Sequence, residues 1–192
     1  MYQQITEYIR RRVTVPDEAL EKALSYSRVV HYKKGDLILR AGEYCRFIGY
    51  LNSGLIMVTM PDDEGKEIIC HFFFEGEFFT YIESIDDNIP SHKNFIAMED
   101  CEILMLSKSE CSTIFSIHPA FEALFNQLIL EDLKRMIRYA QERQTQTAEE
   151  RYLSMMASHA ALFNRIPLKF IAGYLGLAAP SLSRLRKRLV KK

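Results

Sequence analysis

The chain has 192 residues, of which 48% are hydrophobic and 26% charged, with 25 Lys/Arg balanced by 25 Asp/Glu. Those proportions are ordinary for a soluble globular protein of one large domain or of one medium and one small domain, and the absence of any long apolar run excludes a transmembrane helix. The zero net charge is a cancellation: Arg151 to Lys192 holds nine Lys/Arg and no Asp or Glu, which leaves 16 basic and 25 acidic residues, a balance of −9, in residues 1–150. A basic module meant for a polyanion and an acidic module with another task are the expected pair.

In chain order, the opening "MYQQITEYIRRRVTVP" is too polar for a secretion signal or a membrane span, and a cytoplasmic location is expected. Two short helices fit residues 1–26: the amphipathic "ITEYIRRRV", then "PDEALEKALSYS", whose acidic first turn suits the helix dipole. From Arg28 the period changes to short, mostly alternating runs: "RVVHY", "DLILR", "FIGYL", "LIMVTM", "EIICHFFF", "NFIAM" and "CEILML". Glycine turns separate them, which predicts about eight strands in an antiparallel roll or barrel. Cys45, Cys70, Cys101 and Cys111 form no C-x-x-C pair, so a zinc ribbon or cysteine-held cluster is not expected and buried reduced thiols are.

After Ser107 helices are expected. "KSECSTIFSIHP" is short and stopped by Pro119, and "AFEALFNQLILEDLKRMIRYAQERQTQ" is long. Within the long one, Ile129, Leu133, Met136 and Ala140 are spaced by 4, 3 and 4, an apolar seam about 16 Å long. A seam so narrow suits the same helix of a second subunit, and the alternative is that it packs on its own roll. Thr147 and Glu150 form a capping box for a helix reaching about Phe163. Pro167 suits a first helical position, Gly176 a left-handed end, and Pro180 the start of a last helix. Helix, tight glycine turn and cationic helix make the helix-turn-helix pattern.

A basic helical tail serves as a solvated face, a membrane-surface helix or a nucleic-acid reader. Leu182, Leu185 and Leu189 form one narrow stripe without bulky aromatics, which disfavours membrane insertion and fits docking on the preceding helix at small Ala172. Lys169, Ser181, Ser183, Arg184, Arg186, Lys187 and Arg188 are then the candidate contacts to double-stranded DNA, with Arg165 an additional phosphate contact.

Roll, long helix and helix-turn-helix, in that order and size, resemble the Crp/Fnr transcription regulators over nearly the whole chain. The resemblance is carried by Gly35 in "KKGD", Gly42-Glu43 in "RAGE", Gly54 in "NSGLI", Gly76-Glu77 in "EGEFF" and by "IAGYLGLAAPSLSRLRKRL". It implies an α+β chain: a cyclic-nucleotide-binding-like jelly roll with N-terminal helices over 1–118, a dimerisation helix over 119–146 and a DNA-binding domain over 147–192. It implies a homodimer reading an inverted repeat, matches Arg184 to a basic residue used at DNA, and leaves RNA polymerase open as a partner.

Two departures limit the transfer. Ala179-Pro180 replace an Arg-Glu pair that many members place in the first turn of the recognition helix, so their operator does not carry over. The sequence also stops right after this helix, where many members append a β-wing. In the roll, the Arg and Ser/Thr that hold a cyclic phosphate fall on Ser91 and His92, and nearby Lys93 offers no bidentate fork. Gly76 and Glu77 could still face a ribose, and Phe78 adjoins them, so these six residues are the effector-pocket candidates for an unidentified small molecule. The aromatics Phe72, Phe73, Phe74, Phe78, Phe79, Tyr81 and Phe95 either fill the core or in part line a pocket for a less polar ligand.

No catalytic residue is nominated. His31, His71, His92, His118 and His159 lack metal-ligand spacing, and neither a nucleophile elbow nor a Walker loop is present, so no enzyme activity, metal or cofactor is expected. The rival to DNA binding, a ligand sensor acting through protein partners, leaves the C-terminal +9 unexplained.

Overall fold

In the computed structural model the described residues are 2–62, 64–158 and 162–190, so His159, Lys191 and Lys192 lie outside the described residues. Helices α1 (Gln3–Arg10) and α2 (Asp17–Ser25) precede eight strands: β1 (Arg28–Tyr32), β2 (Leu37–Leu39), β3 (Phe47–Ser53), β4 (Ile56–Pro61), β5 (Glu67–Phe73), β6 (Phe78–Phe79), β7 (Asn94–Ala97) and β8 (Cys101–Ser107). A short helix, α3 (Ile82–Asp86), interrupts them. Two antiparallel four-stranded sheets result, in the orders β1-β8-β3-β6 and β2-β7-β4-β5.

Because neighbouring residues of a strand point to opposite faces, each sheet has an inner and an outer surface to cover. Leu51, Ile103, Met105 and Phe79 from one sheet meet Ile38, Ile56, Phe73 and Phe95 from the other, and these fill the interior of the roll. The outer face of the first sheet carries Tyr50, Leu104 and Phe78. It is covered by α1, α2, α4 (Lys108–Ile117) and the first turns of α5 (Pro119–Thr145). The outer face of the second sheet carries Met57, Ile69 and Phe72. It is covered by the C-terminal helices α6 (Ala148–Ser158), α8 (Leu168–Leu175) and α9 (Ala179–Val190). The C-terminal module is therefore packed on the roll.

Local signals place most boundaries. Thr147 and Glu150 make the capping box, with the Glu150 N–H donating to Thr147 Oγ1 at 3.2 Å and Thr147 N–H to Glu150 Oε2 at 2.7 Å. Two details differ from the sequence expectation. Pro119 opens α5 as its first residue, because a missing N–H costs nothing there. Pro167 stands one position before α8, as its N-cap. Of the helix expected to reach about Phe163, α6 covers Ala148–Ser158 and α7 covers Leu162–Arg165, with 159–161 outside the described residues. No helix among the described residues is long and apolar enough to cross a membrane.

Candidate nucleic-acid interface and sensor roll

The helix-turn-helix is built by α8 and α9. Gly176 takes a left-handed φ of +71°, which lets its N–H reach Gly173 O at 3.1 Å and the Leu177 N–H reach Ala172 O at 2.8 Å. These paired bonds satisfy the last carbonyls of α8 and turn the chain sharply. Leu182 and Leu185 of α9 are buried against Ile171, Ala172 and Leu175, with Leu189 partly buried beside them. At Gly173 the backbone of α8 comes so near β5 that a Cβ would lie 3.1 Å from Ile69 Cδ1, so a larger residue there would require the Ile69 side chain to give by a few tenths of an ångström.

With its stripe buried, α9 turns Arg184, Arg186, Lys187 and Arg188 outward, and Ser181 and Ser183 stay half-exposed. Arg184 Nη2 lies 3.4 Å from Ser181 Oγ, and Arg188 pairs with Glu149 of α6. Lys169 is exposed at the start of α8, its ammonium 4.7 Å from the Phe170 ring centroid. Among the described residues, Arg151 and Arg165 are also used inside the fold. Arg151 donates to Gln146 O at 2.7 Å and to Leu175 O at 3.0 Å. Arg165, expected as a phosphate contact, is held by the roll: its guanidinium donates to both oxygens of Glu99 at 3.0 and 2.6 Å and of Glu75 at 2.9 and 2.6 Å. Those carboxylates lie 66 and 90 residues away, beyond the reach of any local pattern.

Among the effector-pocket candidates, Glu77, Ser91 and Lys93 have partners of their own. Ser91 is 1% exposed, and its hydroxyl donates to Lys93 O at 2.8 Å while accepting from Lys93 N–H at 3.0 Å. His92 is exposed, and Lys93 Nζ sits 5.9 Å from the Tyr81 ring centroid. Glu77 turns back on its own loop, accepting from Phe74 N–H at 2.7 Å, and its other oxygen lies 3.8 Å from Arg135 of α5. Arg135 also lies 2.7 Å from His71 Nε2 and over Phe73, its carbon 5.3 Å from the ring centroid. The long helix thus places its own cation against the roll.

Phe78 faces away from the pocket region. Its ring packs on Tyr50 and Tyr8 outside the roll, because its strand neighbour Phe79 takes the inner face. Phe73, Phe79, Tyr81 and Phe95 fill the core, while Phe72 and Phe74 meet the C-terminal module. The cavity that Phe78 does line, about 80 Å³ and walled by apolar side chains such as Ile9, Leu104 and Ile114, lies beneath the N-terminal helices.

The α5 seam is free of its own roll. Ile129, Leu133 and Met136 are 41%, 51% and 57% exposed, and Ala140 is exposed beside them. Leu130 and Ile137, one step round the helix, are equally open and widen the stripe beyond the four residues the spacing picked out. The opposite side of α5 meets the C-terminal module through Tyr139, which stacks on Tyr174 at 5.5 Å between centroids. Burial, with Tyr139 beside it, pushes the Tyr174 hydroxyl up to about 12.

Residues 29–118 match the family described as the cyclic nucleotide-binding domain. The cAMP-activated global transcriptional regulator CRP of Pasteurella multocida is 26% identical over 103 residues, 54% of this chain and 49% of that protein. Its counterpart in Haemophilus influenzae is 26% identical over 110 residues, 57% of this chain and again 49% of the relative. Just under half of the chain thus carries the cyclic nucleotide-binding domain, and the chain resembles regulators of the CRP type. Solved structures carry the same fold along nearly the whole chain. FixK2 of Bradyrhizobium japonicum superposes with a TM-score of 0.72 at 16% identity, over 86% of this chain and 85% of that one. The c-di-GMP responsive regulator CLP of Xanthomonas campestris gives 0.70 at 17% identity, over 92% of both chains. The sequence matches to curated Crp/Fnr relatives span about half the length of those proteins.

Proposed function

We propose that the chain is a DNA-binding transcription regulator of Crp/Fnr type that pairs through α5 and reads an inverted repeat with two copies of α9. One observation carries the reading: the leucine stripe of α9 is buried on α8, so Arg184, Arg186 and Lys187 stand exposed around the rest of the helix. A helix fixed from behind and cationic in front meets the two needs of a major-groove reader, phosphate neutralisation and presentation of side chains to base edges. The open apolar stripe of α5 supplies a self-complementary surface for a two-fold pair. A sensor acting through proteins alone leaves the cationic face without a role.

The curated relatives are cAMP-activated by name, and this roll is proposed not to respond to cyclic AMP. Burying a cyclic phosphate takes a fixed cation or several donors to offset its lost hydration. The Ser91 hydroxyl already donates to Lys93, His92 is exposed, and the Lys93 ammonium lies toward Tyr81. Genomic footprinting tests the first part: bound sites should share inverted half-sites about one helical turn apart, ~34 Å. Binding without such a repeat would overturn the paired reading. Calorimetry with cyclic AMP and cyclic GMP tests the second, and micromolar binding of either would overturn it.

A further inference from the structure

Arg165 stands two residues before Pro167, which caps the first helix of the helix-turn-helix. Both edges of its guanidinium are occupied by carboxylates of the roll, and Nη2 also donates to Gly54 O at 3.0 Å. Glu75 comes from the turn between β5 and β6, and Glu99 from the turn between β7 and β8. The Glu75 carboxylate further accepts from the Gly54 N–H at 3.0 Å, which ties it to the roll as well as to Arg165. Two residues on, in the same turn, Glu77 faces Arg135 of α5. One four-residue turn, Phe74-Glu75-Gly76-Glu77, therefore touches the pairing helix with one carboxylate and the C-terminal module with another.

The cluster carries two negative charges for one positive. Withdrawing Arg165 leaves two carboxylates facing each other, both only partly exposed, with their shared cation gone. The contact is therefore biased toward closure. The apolar contact of Ile69 and Phe72 with α8 holds the module in the same place but has no such dependence on charge.

Building on the DNA-binding reading, we propose that Arg165 is an autoinhibitory latch. While Glu75 and Glu99 hold it, the C-terminal module stays docked on the roll and Arg165 is withheld from DNA phosphate. Release by both carboxylates frees the module and the cation together, and a shift of the 74–77 turn removes the Glu75 half of that hold. The turn that meets α5 thereby governs how many cations the module presents to DNA.

The test uses the full chain, the double variant Glu75→Gln/Glu99→Gln, and Arg165→Met. Amide hydrogen exchange reads the docking without DNA. Both variants should raise exchange in α8 and β5 about tenfold while β3 and β8 keep their protection. Binding to a random duplex, titrated with salt, reads the withheld cation. The double variant should steepen the log–log slope by about 2 per dimer, one additional phosphate contact per subunit, whereas Arg165→Met should not. Unchanged exchange in both variants would overturn the latch. A duplex bound by the double variant with the wild-type slope would overturn the withholding. If no form of the protein bound duplex, the DNA-binding reading would fail while exchange still decided the latch.

Discussion

On α9, Leu182 and Leu185 are 0% and 8% exposed, whereas Leu133 and Met136 of α5, at the same three-residue step, remain more than half exposed. Both stripes have the spacing of a face that needs a partner. For α9 the partner is close in sequence: the left-handed Gly176 folds the helix back on α8, where small Ala172 leaves room. For α5, the described residues of the chain offer nothing to cover the seam. The two helices together show that periodicity reports a demand for burial, and that only the topology tells whether the same chain meets it.

The comparison is broken most severely by changes at the covered stripe. Leu182→Ala should cost about 2–5 kcal/mol of stability, since a fully buried leucine leaves both lost transfer energy and a cavity. Denaturant unfolding followed by circular dichroism measures it, and a cost below about 1 kcal/mol would mean that α9 is loosely seated. At the open stripe the same kind of insult should act on pairing alone. Leu133→Glu should leave subunit stability within about 0.5 kcal/mol and raise the dimer dissociation constant about 100-fold, because the new charge is buried without a partner. Light scattering that still showed a dimer at micromolar concentration would place the interface elsewhere.

Arg184→Ala tests the outward side of α9. Discrimination between operator and random duplex should fall by about 1–3 kcal/mol if the guanidinium reads a guanine edge. Equal losses for both duplexes would make it a phosphate contact. The smallest effect concerns acid. Burial pushes the Glu75 carboxyl up, but hydrogen bonds from Arg165 and from the backbone N–H groups of Glu75 and Gly54 outweigh it and hold it below the usual glutamate range. A depressed carboxylate stabilises above its unfolded value, ~4.3, and that contribution is lost as pH falls through the folded value. With partial exposure it is worth at most about 1 kcal/mol. The stability difference between wild type and Arg165→Met should therefore be present at pH 7 and shrink as pH falls through the depressed folded value of Glu75. A difference that persisted in acid would remove Glu75 from the contact.

Much of the fold was legible because its signals are local. The glycine turns separated the strands, and the Thr147 and Glu150 pairing marked a helix start from residues three apart. The strands beneath the C-terminal module also held a sign that was easy to pass over. "EIICHFFF" is apolar on both faces, where a sheet with one wet surface would alternate. Ile69 and Phe72 supply the outward half of that surplus and carry the docked module. Adjacent Phe78 and Phe79 had to face opposite ways in a strand, but nothing in their order told which of them was inside.

The amino-acid sequence by itself determined the order of the elements, the left-handed turn of the helix-turn-helix, the two apolar stripes and the segregation of charge. These rest on hydrogen bonds and side-chain spacings within a few residues, which the backbone geometry of each element dictates wherever that element sits. The tertiary structure decided the fate of the charge. The basic tail looked like nine equivalent cations for a polyanion, yet Arg151 and Arg165 are spent within the protein. Arg165 meets its acids only because the sheet order brings the β5–β6 and β7–β8 turns to one edge, beside the helix-turn-helix docked on the same sheet. Charge is attracted to charge at any sequence separation, so its partners are chosen by the packing of the whole chain.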